Sequence, residues 1–96
     1  MIVCNWNIIV PNGKFIELEF ESFDLGSECQ SVWLYAYDGE NYNDPVLTQK
    51  LCGSKIPDKI ISTRNKVFLE WKSKAFNSLL TSKGFKIIVR IAGKYY

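Results

Sequence analysis

The sequence predicts an all-β fold, an antiparallel sandwich of two sheets with about seven to nine strands. Three observations carry this. Short segments alternate apolar and polar residues. Clusters of Gly, Pro, Asn and Asp interrupt them at regular intervals. No stretch sustains the 3.6-residue period of an amphipathic helix.

Cys4 to Val10 reads as the first strand, with Trp6, Ile8 and Val10 alternating with Asn5, Asn7 and Ile9. Pro11-Asn12-Gly13 is turn chemistry: proline presets one dihedral and Asn-Gly tolerates positive φ. The chain doubles back into Lys14 to Phe23, where the period of two is clearest. Ile16, Leu18 and Phe20 point one way, and Glu17, Glu19 and Glu21 the other. That is the pattern of a half-buried antiparallel strand. The evenly spaced glutamates admit a cation site, but the simpler reading is a wet sheet face opposite lysines. Residues 23–28 form a loop.

Cys29 to Gly39 is the stretch around which the chain is organised. Val32, Leu34 and Ala36 share one face, and Trp33, Tyr35 and Tyr37 the other. Both faces are apolar or aromatic, which places this strand inside the sandwich rather than at a wet edge. Asp38 to Pro45 is a polar loop dense in turn formers. Val46 to Leu51 reads as a short strand, residues 53–57 as a turn region and Lys59 to Thr63 as a brief extended piece. Val67 to Lys72 follows, with Val67, Leu69 and Trp71 inward and Lys66, Glu70 and Lys72 outward. Ser73 to Lys83 is a connection. Phe85 to Ile91 closes the pattern with Phe85, Ile87, Val89 and Ile91 on one face.

Ninety-six residues make one domain with a modest core. Twelve basic against ten acidic residues leave a net charge of +2, and the basic residues are spread along the chain. Nothing resembles the basic stripe of a nucleic-acid binder. There are no histidines, which removes the commonest general base and zinc ligand. The cysteines at 4, 29 and 52 contain no Cys-x-x-Cys pair, so no structural zinc site is expected. No apolar run is long enough to span a bilayer. The first residues lack the charged leader and cleavage site of a signal peptide and read as a chain entering a strand. No Asn-x-Ser/Thr sequon occurs.

A set of motifs in order carries a family resemblance: Cys4-Asn-Trp-Asn-Ile, Pro11-Asn-Gly, and Ile16 through Phe23-Asp-Leu25. They continue with Cys29, Tyr37-Asp38-Gly39, Leu51-Cys52-Gly53, Pro57, Ile61-Ser62 and Asn65. Val67-x-Leu69-x-Trp71-x-Ser73 and Gly84-Phe85 complete them. Together they resemble the CUB domain, the extracellular module of complement proteases, tolloid-like metalloproteases and spermadhesins. The resemblance runs from residue 4 to about residue 91 and implies a jelly-roll-like sandwich of two antiparallel sheets. The family's usual four cysteines are bridged first to second and third to fourth. Cys4, Cys29 and Cys52 match the second, third and fourth. The resemblance therefore implies a Cys29–Cys52 bridge and leaves Cys4 unpaired. It also implies that an upstream segment of one or two strands is missing, which leaves an unpaired sheet edge.

Many family members hold calcium at one end of the sandwich. The positions corresponding to their usual carboxylates read Gly26, Val32 and Lys74 here. Calcium wants six to eight oxygen ligands, several of them charged. Glu28 is one carboxylate that can slide toward the site, and one does not suffice. The expectation is a calcium-independent domain with no metal and no cofactor.

The contact candidates are two loop regions. At the former calcium end they are Glu28 and Lys74, with Phe76, Leu79 and Leu80 in the 73–83 connection as either a lid on the core or a contact surface. Asp38 and Tyr42 lie in the loop at the other end, which either grips a sugar or a basic partner or is only a connector. No spacing singles out a catalytic pair, so no enzyme is expected. The resemblance favours a non-catalytic module for an extracellular protein partner. A spermadhesin-like carbohydrate-binding domain, or an accessory domain of a larger extracellular protease or receptor, is the alternative. Neither nucleic acid nor membrane insertion is expected. The implied location is extracellular, in a secreted protein or a membrane protein's ectodomain.

Overall fold

The computed structural model describes residues 1–74 and 83–93. These form six strands in two three-stranded antiparallel sheets. One sheet runs β1 (Ile2–Ile9), β5 (Lys66–Ser73), β3 (Val32–Tyr37) in spatial order. The other runs β4 (Ile60–Ile61), β2 (Phe15–Asp24), β6 (Gly84–Ala92). The all-β sandwich expected from the alternation is the observed architecture.

The inward faces of the two sheets make one core. Ile16, Leu18 and Phe20 of β2 are buried against Val32, Leu34 and Ala36 of β3 and Val67 and Leu69 of β5. Each of these side chains larger than alanine contributes about 1.5–3 kcal/mol by leaving water. Past Phe20 the parity of β2 changes, because the register with β6 shifts between Phe20 and Ser22. This bulge at Glu21 turns Phe23 inward in place of Ser22, and Phe23 meets Phe20 edge to face at 5.5 Å. On the outer face of β2, Glu17 lies 3.2 Å from Arg90 and 3.7 Å from Lys59. Glu19 lies 2.7 Å from Arg90, and Glu21 3.5 Å from Lys86. The glutamate row is thus a wet face laced with cross-strand cations, each exposed pair contributing little.

Two expectations are corrected. β3 was expected inside its sheet, and β5 holds that place, paired with β1 on one side and β3 on the other. Val46 to Leu51 was expected as a short strand and makes only isolated bridges, Leu34 to Leu51 and Tyr37 to Val46. The reason is a length mismatch. Leu47 N–H donates to Ala36 O (2.7 Å) and Leu51 pairs with Leu34 in both directions (2.8 and 2.9 Å). On β3 one residue, Tyr35, separates these contacts, whereas Thr48, Gln49 and Lys50 separate them on the other side. The extra residues bow outward, and the count stays at six strands among the described residues. The aromatic face of β3 is half-buried, with Tyr37 packed 6.0 Å from Phe68 and 5.9 Å from Tyr35.

The apolar face of β6 is covered only in its first half. Phe85 and Ile87 pack on the core, while Val89 is 45% and Ile91 59% exposed. β1 behaves alike: Ile8 reaches the core and Trp6 is 43% exposed.

Ser62 ties β4 to β2. Its hydroxyl accepts from Ile16 N–H (2.8 Å) and donates to Arg64 O (2.6 Å), and its own N–H donates to Ile16 O (2.9 Å). The site is buried, so Ser62→Ala leaves the Ile16 N–H without its partner. Urea denaturation of S62A is expected to show a loss of about 2 kcal/mol, and a loss below about 0.5 kcal/mol contradicts this. The Arg90 hydrogen bond and charge hold the Glu19 carboxyl below its ordinary range. The stabilisation this represents is present above the unfolded-state pKa and is lost as pH falls through the lowered folded value. Arg90→Gln is expected to raise the Glu19 midpoint in an NMR titration, and an unmoved midpoint contradicts the pairing.

Candidate interaction surfaces

The first region is the end of the sandwich where Cys29 is bonded to Cys52, with Cα atoms 5.1 Å apart. The bridge expected from the resemblance is present. It joins the loop before β3 to the segment flanking β3, and Leu25 N–H donates to Gly53 O (2.8 Å) beside it. Glu28 is exposed, and its carboxylate accepts from the Ser31 hydroxyl at 3.3 Å. Its carbonyl accepts from the N–H groups of Ser31 (2.9 Å) and Val32 (3.2 Å). Lys74 follows β5 directly, exposed, and its N–H donates to Ser31 O at 2.8 Å.

Of the three positions that the family resemblance aligns with calcium ligands, the backbone accounts for Gly26 and the core for Val32, while nothing in the structure explains Lys74. Gly26 has φ +82°, which side-chain-bearing residues rarely adopt, and its N–H donates to Asp24 Oδ1 (3.1 Å). A glutamate there is strained. Val32 is 1% exposed and belongs to the core. An aspartate there buries a carboxylate among apolar neighbours. The third position holds the ammonium of Lys74. Val32 and Lys74 are neighbours through the Val32–Ser73 register, and no described hydrogen bond ties Gly26 to either. None of the three supplies a carboxylate to a cation. Among the described residues, no three His, Cys, Asp or Glu side chains gather as a metal site.

Phe76, Leu79 and Leu80 lie outside the described residues. The structure adds two residues that sequence reasoning missed. Lys50 Nζ stands 4.4 Å from the centroid of the Trp33 ring and Lys74 Nζ 5.7 Å from it. A signal existed in the spacing: Lys50 lies two residues before Cys52 and Trp33 four after Cys29, so the bridge draws them together.

The opposite end is built on Asp38, which is 7% exposed. Its carboxylate accepts from Thr63 N–H (3.2 Å) and from the Thr63 hydroxyl, and its carbonyl accepts from the Arg64 guanidinium. Asp38 therefore anchors the 38–46 loop from inside and does not face a partner. Asp44 closes the loop, its carboxylate accepting from Glu40 N–H (2.7 Å) and Asn41 N–H (3.2 Å). Those two bonds, with Arg64 adding to them, hold its carboxyl below the ordinary range. A Cβ at Gly39 collides with the Asp44 side chain, which is why the loop needs glycine there. A polar cleft of about 310 Å³ lies between this loop and residues 64–66. Its charges are satisfied internally: Glu40 meets Lys66 at 2.7 Å and Asp44 meets Arg64 at 3.7 Å. Tyr42, 64% exposed, remains the loop's protruding ring.

The third region is an apolar groove of about 560 Å³ between the β1 and β6 sides of the two sheets. Trp6, Ile8, Leu69, Trp71, Phe85, Ile87 and Val89 line it, and Trp6 meets Phe85 edge to face at 5.8 Å. Cys4 is an exposed free thiol on β1, two residues before Trp6.

The profile of the CUB domain family matches residues 1–88. Human cubilin is 39% identical over 89 residues, covering 91% of this chain and 2% of cubilin. Human tolloid-like protein 1 is 38% identical over 85 residues, covering 86% of this chain and 8% of that protein. Human procollagen C-endopeptidase enhancer 2 is 33% identical over 86 residues, covering 88% and 20%. The chain thus spans a small part of each of these relatives. Among solved structures, the CUB1-EGF-CUB2 domain of human MASP-1/3 shares the fold, with a TM-score of 0.78 at 24% identity over 96% of this chain and 36% of that one. Domains of this kind are generally non-catalytic accessory modules. The homologues are extracellular or secreted proteins that bind protein partners. With its two antiparallel sheets and its Cys29–Cys52 bridge, the chain belongs to the CUB domain family.

Proposed function

We propose that this domain is a non-catalytic extracellular module that binds a protein partner without calcium. The observation that supports it is the disulfide-bridged end of the sandwich. Gly26, Val32 and Lys74 stand there at the family's carboxylate positions, and the backbone or the core explains the first two. With a lysine ammonium where an anionic ligand belongs, the electrostatics of this end favour an incoming anion over a cation. The described residues offer no nucleophile-base pair, and the acidic groups of the 38–46 loop hold the loop together. That is the chemistry of a binding scaffold and not of a catalyst.

The test uses the oxidised domain against an array of extracellular ectodomains and a glycan array, with calcium titrated into the domain by calorimetry. Saturable binding to an ectodomain, unchanged by EDTA, together with no calcium heat, is the expected result. Micromolar calcium binding overturns the metal-independent reading. Specific sugar binding with no ectodomain bound overturns the protein-partner reading in favour of the carbohydrate one.

A further inference from the structure

Trp33 opens the outer face of β3, its indole half-buried. Lys50 reaches it from the bowed segment beside β3, and Lys74 from the end of β5, with ammonium groups 4.4 and 5.7 Å from the ring centroid. Neither forms an ion pair with any described carboxylate. Lys72, the register partner of Trp33, differs: it is already 3.6 Å from Glu70. Two like charges thus converge on one aromatic ring, with no ion-pair partner among the described residues. Both are held from behind. The residue after Lys50 is bonded in both directions to Leu34 and is followed by bridged Cys52, and the Lys74 backbone is bonded to Ser31. A ring face attracts cations, but it cannot cancel the repulsion between two of them. An anion placed between them can, and it gains charge-assisted hydrogen bonds from both.

We propose that Lys50 and Lys74 around Trp33 form the docking site for an acidic segment of the protein partner. An Asp or Glu carboxylate sits between the two ammonium groups, and an adjacent apolar side chain lies against the indole. The assignment deepens the protein-interaction reading and rests on it. The surroundings favour a single carboxylate of a protein over a sulfated polysaccharide. Glu70 lies on the same sheet, 3.6 Å from Lys72, Glu28 is exposed in the loop before β3, and the whole chain carries a charge of only +2. A dense polyanion meets those carboxylates, whereas one acidic side chain does not.

The test titrates the oxidised domain with a short peptide carrying adjacent glutamates flanked by leucines, and with its glutamine counterpart, by two-dimensional NMR. The acidic peptide is expected to move the Trp33 indole resonance, and the glutamine peptide to bind about tenfold more weakly or worse. The double variant K50Q/K74Q, altered at two exposed positions, is expected to lose the same factor while keeping the spectrum of a folded domain. K50R/K74R, which keeps the charge, restores binding. Equal binding of both peptides, no effect of K50Q/K74Q, or shifts at Trp6 and Trp71 instead of Trp33 overturns the assignment. So does a heparin oligosaccharide that binds at Trp33 while the peptide does not. An ectodomain partner bound equally well by K50Q/K74Q overturns this site and leaves the interaction reading standing. A domain that binds no ectodomain overturns the reading beneath it.

Discussion

The Cys29–Cys52 bridge is the constraint on which this end of the sandwich depends. It closes a loop with a sequence separation of 23, and a bridge over such a loop contributes about 3 kcal/mol by restricting the unfolded chain. Its local consequence is larger for function than that number suggests. The segment from Val46 to Leu51 has too many residues to pair continuously with β3, and its hydrogen bonds are few. On its own it is a loop. Bonded at Cys52 and clamped at Leu51 and Leu47, it becomes a fixed flank, and its excess length projects Lys50 over Trp33. A weak strand is thereby turned into a support for a side chain.

At the same end, two of the three residues that the family resemblance aligns with calcium ligands have structural roles of their own. Gly26 takes a left-handed backbone that suits its Asp24 turn, and Val32 has joined the core. Lys74 adds a cation whose backbone is fixed by Ser31. The opposite end keeps its acidic residues for internal use around Asp38 and Asp44.

Much of the fold was legible from local rules. The alternation of Ile16, Leu18 and Phe20 with three glutamates assigned both faces of β2, because side-chain direction in a strand needs no knowledge of the partner strand. What the alternation cannot reveal is which strand lies in the middle, since that depends on pairings far apart in sequence. Hence β3, apolar on both faces, was placed inside its sheet, although β5 holds that position. The bulge at Glu21 and the bowing of residues 48–50 are mismatches between two strands and are not written in either alone. The contact candidates divided in the same way. Asp38 carries the chemistry of a surface residue but is turned inward to Thr63, and the Trp33–Lys50 contact arises only once the bridge is closed.

Native-state amide hydrogen exchange on the oxidised domain tests whether the bridged flank of β3 is a rigid support for the Lys50–Trp33–Lys74 face. Leu47 and Leu51, bonded to Ala36 and Leu34, are the reporters, and Leu18 in the middle of β2 is the reference. In a rigid flank the Leu47 and Leu51 amides exchange only through global unfolding, with protection equal to that of Leu18. Exchange of these two amides at the rate of an open loop, while Leu18 stays protected, contradicts it.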